Sequence, residues 1–167
     1  MKTLKIVRMA DVKVATDDYR LITVGLGSCV GVTLYSPRIK VGGLAHIMLP
    51  DSSRARLTIA NGNGRNYLAK YADTSIDLMI HEMQELGASK STLVAKIAGG
   101  AHMFQCNGNG QLKIGEENIL AVKKKLGDLR IEIIAEDTGD DYGRTLEFDV
   151  GTGILVVKSV RKGLIEL

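Results

Sequence analysis

The sequence predicts a layered α/β domain: a mixed β-sheet, or sheets, packed with two to three helices. Three observations carry that expectation. β-rich runs crowd the N-terminal third, two stretches with 3.6-residue apolar periodicity alternate with strand patterns in the middle, and two further strand patterns close the chain. The 167 residues, 45% hydrophobic and 25% charged, suit one globular domain spanning residues 1–167 around one sizeable core.

The elements follow in order. Residues 19–24 are rich in β-formers, and residues 30–35 alternate around small side chains. Ser36-Pro37-Arg38 makes a turn, and residues 41–49 form the next strand, closed by Pro50-Asp51. The polar, glycine-containing stretch 51–66 reads as a mobile loop. Asp73-Thr74-Ser75 is a candidate cap for a helix whose Ile76, Met79, Ile80, Met83 and Leu86 keep helical phase, and Gly87 stops it. Residues 93–98 form a short strand ending at Gly99-Gly100. A second helix opens with Glu116-Glu117, turns Ile119, Leu120, Val122 and Leu126 inward, and closes with three lysines before Gly127. Residues 130–135 are a strand, and 144–149 with 153–160 form a final pair around Gly151-Thr152-Gly153.

Composition excludes several function classes. Five Tyr, two Phe and no Trp argue against base stacking, and a net charge of +3 without a basic block gives no electrostatic footprint for nucleic acid. Charges interrupt the N-terminal apolar residues every few positions, so neither a signal peptide nor a membrane span is expected, and the chain reads as cytoplasmic. Two cysteines cannot build a disulfide framework or a four-cysteine zinc site. The glycine-rich turns also fail as phosphate cradles. No Gly-Lys dipeptide supplies a P-loop lysine, and Gly25-Leu26-Gly27 has Val30 at the third glycine's place and leads into a strand. No cofactor or metal is expected.

Chemistry then rests on two cysteines and three histidines. Cys106, in His102-Met103-Phe104-Gln105-Cys106, borders an Asn/Gly-rich loop and reads as a semi-buried thiol. His81 lies about 140° around its helix from Ile76, on the polar face. Cys29 and His46 differ. Cys29 sits among small neighbours in Gly27-Ser28-Cys29-Val30-Gly31, and His46 lies on the following strand. If those strands pair around the Ser36-Pro37 turn, Cys29 meets residues 46 to 48. Two of those three registers put Cys29 and His46 on one face. A neighbouring imidazolium would lower the thiol pKa from ~8.5 and yield a thiolate, and backbone N–H groups of the turn, at Ser28 and Val30, could hold an oxyanion. The pattern alone leaves two readings open: a structural cysteine beside a hydrogen-bonded histidine, or a catalytic pair.

Five segments together resemble the chemoreceptor glutamine deamidase family, CheD. They are Leu26-Gly27-Ser28-Cys29-Val30 with Thr23 upstream; Gly42-Gly43-Leu44-Ala45-His46-Ile47-Met48-Leu49-Pro50-Asp51-Ser52; Lys96-Ile97-Ala98-Gly99-Gly100-Ala101-His102-Met103-Phe104; Tyr142-Gly143-Arg144; and Asp149-Val150-Gly151-Thr152-Gly153. They follow family order across nearly the whole chain. Glu117, where members often carry Arg, and Asp140-Asp141, where a glycine pair is usual, depart from it.

The resemblance implies a fold similar to that of the cytotoxic necrotizing factor type deamidases. It also implies a hydrolase converting selected receptor glutamines to glutamate, with Cys29 as nucleophile, His46 as general base and acid, and Thr23 orienting the histidine. Whether Thr23 would act through hydroxyl or backbone oxygen is open at this level. Implied partners are the cytoplasmic regions of chemotaxis receptors and a CheC-type phosphatase. Phe104, apolar beside Gln105, is open to two readings, an exposed partner contact or a core residue. The competing expectations are a non-catalytic adaptor binding the same partners and a cysteine amidase acting elsewhere.

Overall fold

Two five-stranded sheets lie face to face, and helices cover the outer face of one of them. The computed structural model describes residues 1–54, 64–103 and 113–167. The strands are β1 Thr3–Ile6, β2 Asp11–Thr16, β3 Tyr19–Leu26, β4 Val30–Ser36, β5 Val41–Ile47, β6 Val94–Gly99, β7 Glu132–Thr138, β8 Arg144–Asp149, β9 Ile154–Ser159 and β10 Gly163–Glu166. The helices are α1 Gly64–Lys70, α2 Ala72–Glu85 and α3 Ile114–Asp128. One sheet has the order β1-β3-β8-β9-β10 and the other β2-β5-β4-β6-β7; each mixes parallel and antiparallel pairs.

Alternation along β4 and β5 explains the layering. Val30, Val32 and Leu34, with Ala45 and Ile47, pack toward the helices against Ile76, Met79, Met83, Val122 and Leu126. The intervening positions face the first sheet, where Leu21, Leu26, Leu146, Phe148 and Leu155 are buried. Close approach there requires glycine: a Cβ on Gly31 would stand 2.2 Å from Leu146 Cδ1, and one on Gly42 2.6 Å from Phe148 Cε1. The apolar residues thus build two core layers, where the sequence suggested one. Strand β5 is buried along its whole length because both its faces are covered.

Most expected elements are present, with several differences. The α2 helix starts at Ala72, and Tyr71 occupies the N-cap without a side-chain cap bond. Docking of the preceding chain explains this, since the Ala72 N–H donates to the Leu49 carbonyl (3.0 Å) and Leu49 bridges Tyr71. The Asp73 carboxylate accepts instead from the Ser52 N–H and hydroxyl, at 3.1 and 2.6 Å. Leu120 is exposed, because the inward stripe of α3 runs through Gly115, Asn118, Val122 and Leu126. The loop expected over 51–66 contains a short 3-10 turn at Ser52–Arg54 and gives way to α1 at Gly64. Its residues 55–63 lie outside the described residues.

Candidate active site

The β4–β5 hairpin pairs Gly31 with His46 and Val30 with Ile47. Continued one residue past the strand end, this register sets Cys29 opposite Met48. Cys29 and His46 then share a face diagonally, as in one of the two productive registers. That face is the inter-sheet one, because the missing Gly31 side chain points at Leu146. Cys29, half-buried, packs against the inter-sheet core.

His46 crosses the layer. Its Nδ1 lies 2.7 Å from the Thr23 hydroxyl oxygen on β3 of the opposite sheet, so the contact open in the sequence is made by the side chain. Thr23 faces inward in regular alternation with Leu21, and a bulge follows it. Thr23 pairs with Leu146 but Leu26 with Arg144, so β3 carries one extra residue there, and Gly25 (φ 75°) absorbs the turn. Thr23 and Leu26 consequently both face the core although three residues apart.

Burial sets the electrostatics. His46 is 1% exposed, and desolvation pushes its pKa down to about 4. Its Nε2 is buried and makes no hydrogen bond among the described residues. Burial pushes the Cys29 thiol up, opposed by its own backbone N–H. Both groups are therefore neutral near pH 7, in contrast to the thiolate expected from an adjacent imidazolium.

The turn before β4 is held on several sides. The Gly27 carbonyl accepts from Ala101 N–H and the Cys29 carbonyl from Gly100 N–H, both at 2.8 Å. The Ser28 carbonyl accepts from Asn118 Nδ2 at 2.9 Å. Gly99 and Gly100 adopt φ 113° and 70°, and a Cβ on Gly99 would stand 2.4 Å from the Cys29 carbonyl oxygen. In an antiparallel ladder, the Gly100–Cys29 bond directs the N–H of Val30 toward Ile47 and into the sheet. The fully buried Arg144 braces the far side. Its Nε donates to Asp137 (2.8 Å) and its Nη1 to the Gly139 carbonyl (2.9 Å), while its guanidinium stacks over Tyr142. This loop in turn engages the 99–102 segment, through Gly139 N–H to Gly99 O and His102 N–H to Asp140 O.

The other candidates lie apart. His81 is exposed beside Glu85 (3.6 Å), and the His102 side chain is exposed. Phe104 and Cys106 lie outside the described residues. Among the described residues, no group of three His, Cys, Asp or Glu side chains is placed to hold a metal ion, and no helix is long and apolar enough to cross a membrane. Sequence reasoning passed over Asn118, which is fully buried, although its phase with Val122 and Leu126 put a polar side chain on an inward stripe.

Fold and site define a layered α/β protein in which a half-buried thiol shares the inter-sheet face with an imidazole held by a threonine hydroxyl. The model for the family described as CheD chemotactic sensory transduction matches residues 48–159. Curated relatives extend the likeness over the N-terminal strands. The chain is 49% identical over 157 residues to the probable chemoreceptor glutamine deamidase CheD of Lachnoclostridium phytofermentans, covering 93% of each chain. It is 51% identical over 158 residues to the protein of the same description from Syntrophomonas wolfei, covering 94% of each. It is 47% identical over 158 residues, again 94% of each, to the chemoreceptor glutamine deamidase CheD of Halalkalibacterium halodurans. The chain belongs to the CheD family.

Proposed function

We propose that this protein hydrolyses the side-chain amides of specific glutamines on methyl-accepting chemotaxis receptors, giving glutamate and ammonia, with Cys29 as nucleophile and His46 as base and acid. One observation carries the mechanism: Thr23 fixes a buried imidazole whose Nε2 has no hydrogen-bond partner among the described residues, on the face that Cys29 shares. The names of the relatives supply the substrate class.

The chemistry starts from a neutral pair. With its Nδ1 proton donated to Thr23 Oγ1, His46 presents a lone pair at Nε2. Sγ attacks the glutamine Cδ as Nε2 takes the thiol proton, so the thiolate forms at the moment of attack. The oxyanion is held by the Cys29 N–H, already directed at the sulfur, and the adjacent Ser28 N–H; the Val30 N–H belongs to the sheet. Collapse breaks the C–N bond, Nε2–H protonates the leaving nitrogen, and a thioester remains. Water then attacks that carbonyl as Nε2 accepts its proton; the C–S bond breaks, the sulfur recovers the proton, and glutamate departs. No step needs a cofactor.

The enzyme acts in the cytoplasm on the helical cytoplasmic regions of receptors, and a CheC-type phosphatase competes for the same face. The test is peptide mass spectrometry of a receptor cytoplasmic fragment incubated with wild type, Cys29→Ala and His46→Ala. Wild type alone converts Gln to Glu; conversion that survives Cys29→Ala removes the assignment. Cys29→Ala keeps its binding to the phosphatase and the receptor fragment in pull-downs. If that variant also supports chemotaxis, catalysis is dispensable there and the adaptor reading gains.

A further inference from the structure

Asn118 is a buried amide on a stripe that is otherwise small or apolar, in phase with Gly115, Val122 and Leu126. Packing alone would favour an apolar residue there. Its Nδ2 donates to the Ser28 carbonyl at 2.9 Å and to the Met48 carbonyl at 3.0 Å. Two carbonyl acceptors fix the orientation of the amide, since an oxygen could not face both. Both N–H groups are then used, while Oδ1 is buried without a partner among the described residues. The arrangement satisfies the donors and leaves the acceptor unmet.

The two carbonyls belong to particular places. Ser28 immediately precedes Cys29, and Met48 lies two residues after His46 and opposite Cys29 in the extended register. Both strands have ended there, so the ladder no longer fixes their spacing. The first turn of α3 is seated tightly enough to act as a reference. A Cβ on Gly115 would stand 2.6 Å from Gly100 O and 2.7 Å from Ala101 O, the two residues whose N–H groups hold the Cys29 turn.

We propose that Asn118 is a positioning residue that sets the Cys29 sulfur relative to His46 Nε2 by tying the ends of β4 and β5 to α3. It touches neither substrate nor reacting atoms. The inference rests on the roles given to Cys29 and His46 above, and its test separates the two.

Asn118→Ala, Asn118→Ser and Asn118→Asp are compared with wild type, each also combined with His46→Ala. Asn118→Asp keeps the shape but sets a carboxylate against two carbonyls, and Asn118→Ser retains one donor should the alanine variant not fold. Deamidation of the receptor fragment falls in kcat by roughly 10- to 100-fold, the scale set by an ångström-sized misplacement, with KM little changed and order Ser above Ala above Asp. His46→Ala costs much less in the Asn118→Ala background than in wild type, because the first change has already separated the pair. A merely structural residue would leave the two costs additive.

Cys29 alkylation by iodoacetamide, resolved by peptide mass spectrometry across pH, requires no receptor. Its midpoint moves down toward the ordinary thiol value in the folded Asn118 variants as the turn loosens. Wild-type kcat in a folded Asn118 variant, additive costs, or an unmoved alkylation midpoint each overturns the positioning role. Absence of Cys29-dependent deamidation in wild type overturns the reaction instead, and the alkylation profile still decides Asn118.

Discussion

At the scale of single residues, the site turns on one hydroxyl and one buried ring. Thr23→Val keeps the branched shape and leaves His46 Nδ1 buried without its partner 2.7 Å away. An unmatched buried polar group costs ~1–3 kcal/mol, and a ring free to rotate loses its aim. The expected outcome is kcat reduced by about 10- to 100-fold with KM nearly unchanged, while Thr23→Ser recovers most of the rate. Steady-state kinetics on a receptor fragment measure both. His46 also links stability to pH. Its folded pKa, about 4, lies below the unfolded value of 6.5, so between them the unfolded chain binds more protons. Stability from this group is complete above pH 6.5 and is lost as pH falls toward 4. On the order of 3 kcal/mol is at stake by linkage. Denaturant titrations at pH 7 and pH 4.5 should therefore show wild type losing more stability than His46→Gln. Equal losses would mean that the imidazole is not buried neutral.

At the scale of elements, α3 gives two opposite outcomes for the same substitution. Alanine is a better helix former than glycine by ~1 kcal/mol, and at Gly127, where no atom of the described residues comes within 4 Å of the added methyl, Gly127→Ala should stabilise by about 0.5 kcal/mol. At Gly115 the methyl meets the Gly100 and Ala101 carbonyls at 2.6 and 2.7 Å, backbone atoms that cannot swing aside. Gly115→Ala should destabilise by about 1–3 kcal/mol. Thermal denaturation of the two variants reads both signs. The same contacts show what the sequence could and could not disclose. The β4–β5 hairpin was legible because Ser36-Pro37 marks its turn, and α2 because Ile76, Met79, Ile80 and Met83 keep phase on one face. Helix α1 was not, since Gly64 and Asn66 are weak helix formers and Ala69 alone in it is buried; packing onto β5 and α2 makes it a helix. The site divides likewise. Cys29 and His46 are hairpin neighbours, so local pairing brings them to one face. Thr23 reaches His46 from the other sheet and Asn118 reaches Ser28 from α3, contacts that no periodicity encodes.

At the scale of the molecule, the sheet β2-β5-β4-β6-β7 lends one face to the inter-sheet layer and the other to the helices. Neither layer can lose its packing without exposing a face of that shared sheet, so the two should melt together. Phe148, fully buried between the sheets, and Met79, fully buried between α2 and the shared sheet, test this from opposite sides. Phe148→Ala should cost about 3–5 kcal/mol and Met79→Ala about 2–5 kcal/mol. Against a total of ~5–15 kcal/mol for a domain, either is a large fraction. If the shared sheet couples the layers, each variant shifts one transition that is coincident by far-UV circular dichroism and by tyrosine emission. Tyr35 packs edge-on to Phe148 in the inner layer and Tyr71 beside α2, so the emission draws on both. Two separated transitions, with Phe148→Ala moving one and Met79→Ala the other, would show the layers to be independent. Coupling has a consequence for the site, because the Thr23–His46 bond spans the inter-sheet layer while Asn118 reaches the same turn from the helical one. In a single cooperative unit, a destabilising change in either layer lowers the fraction of assembled sites in step with the folded fraction, while the turnover of each folded molecule stays constant.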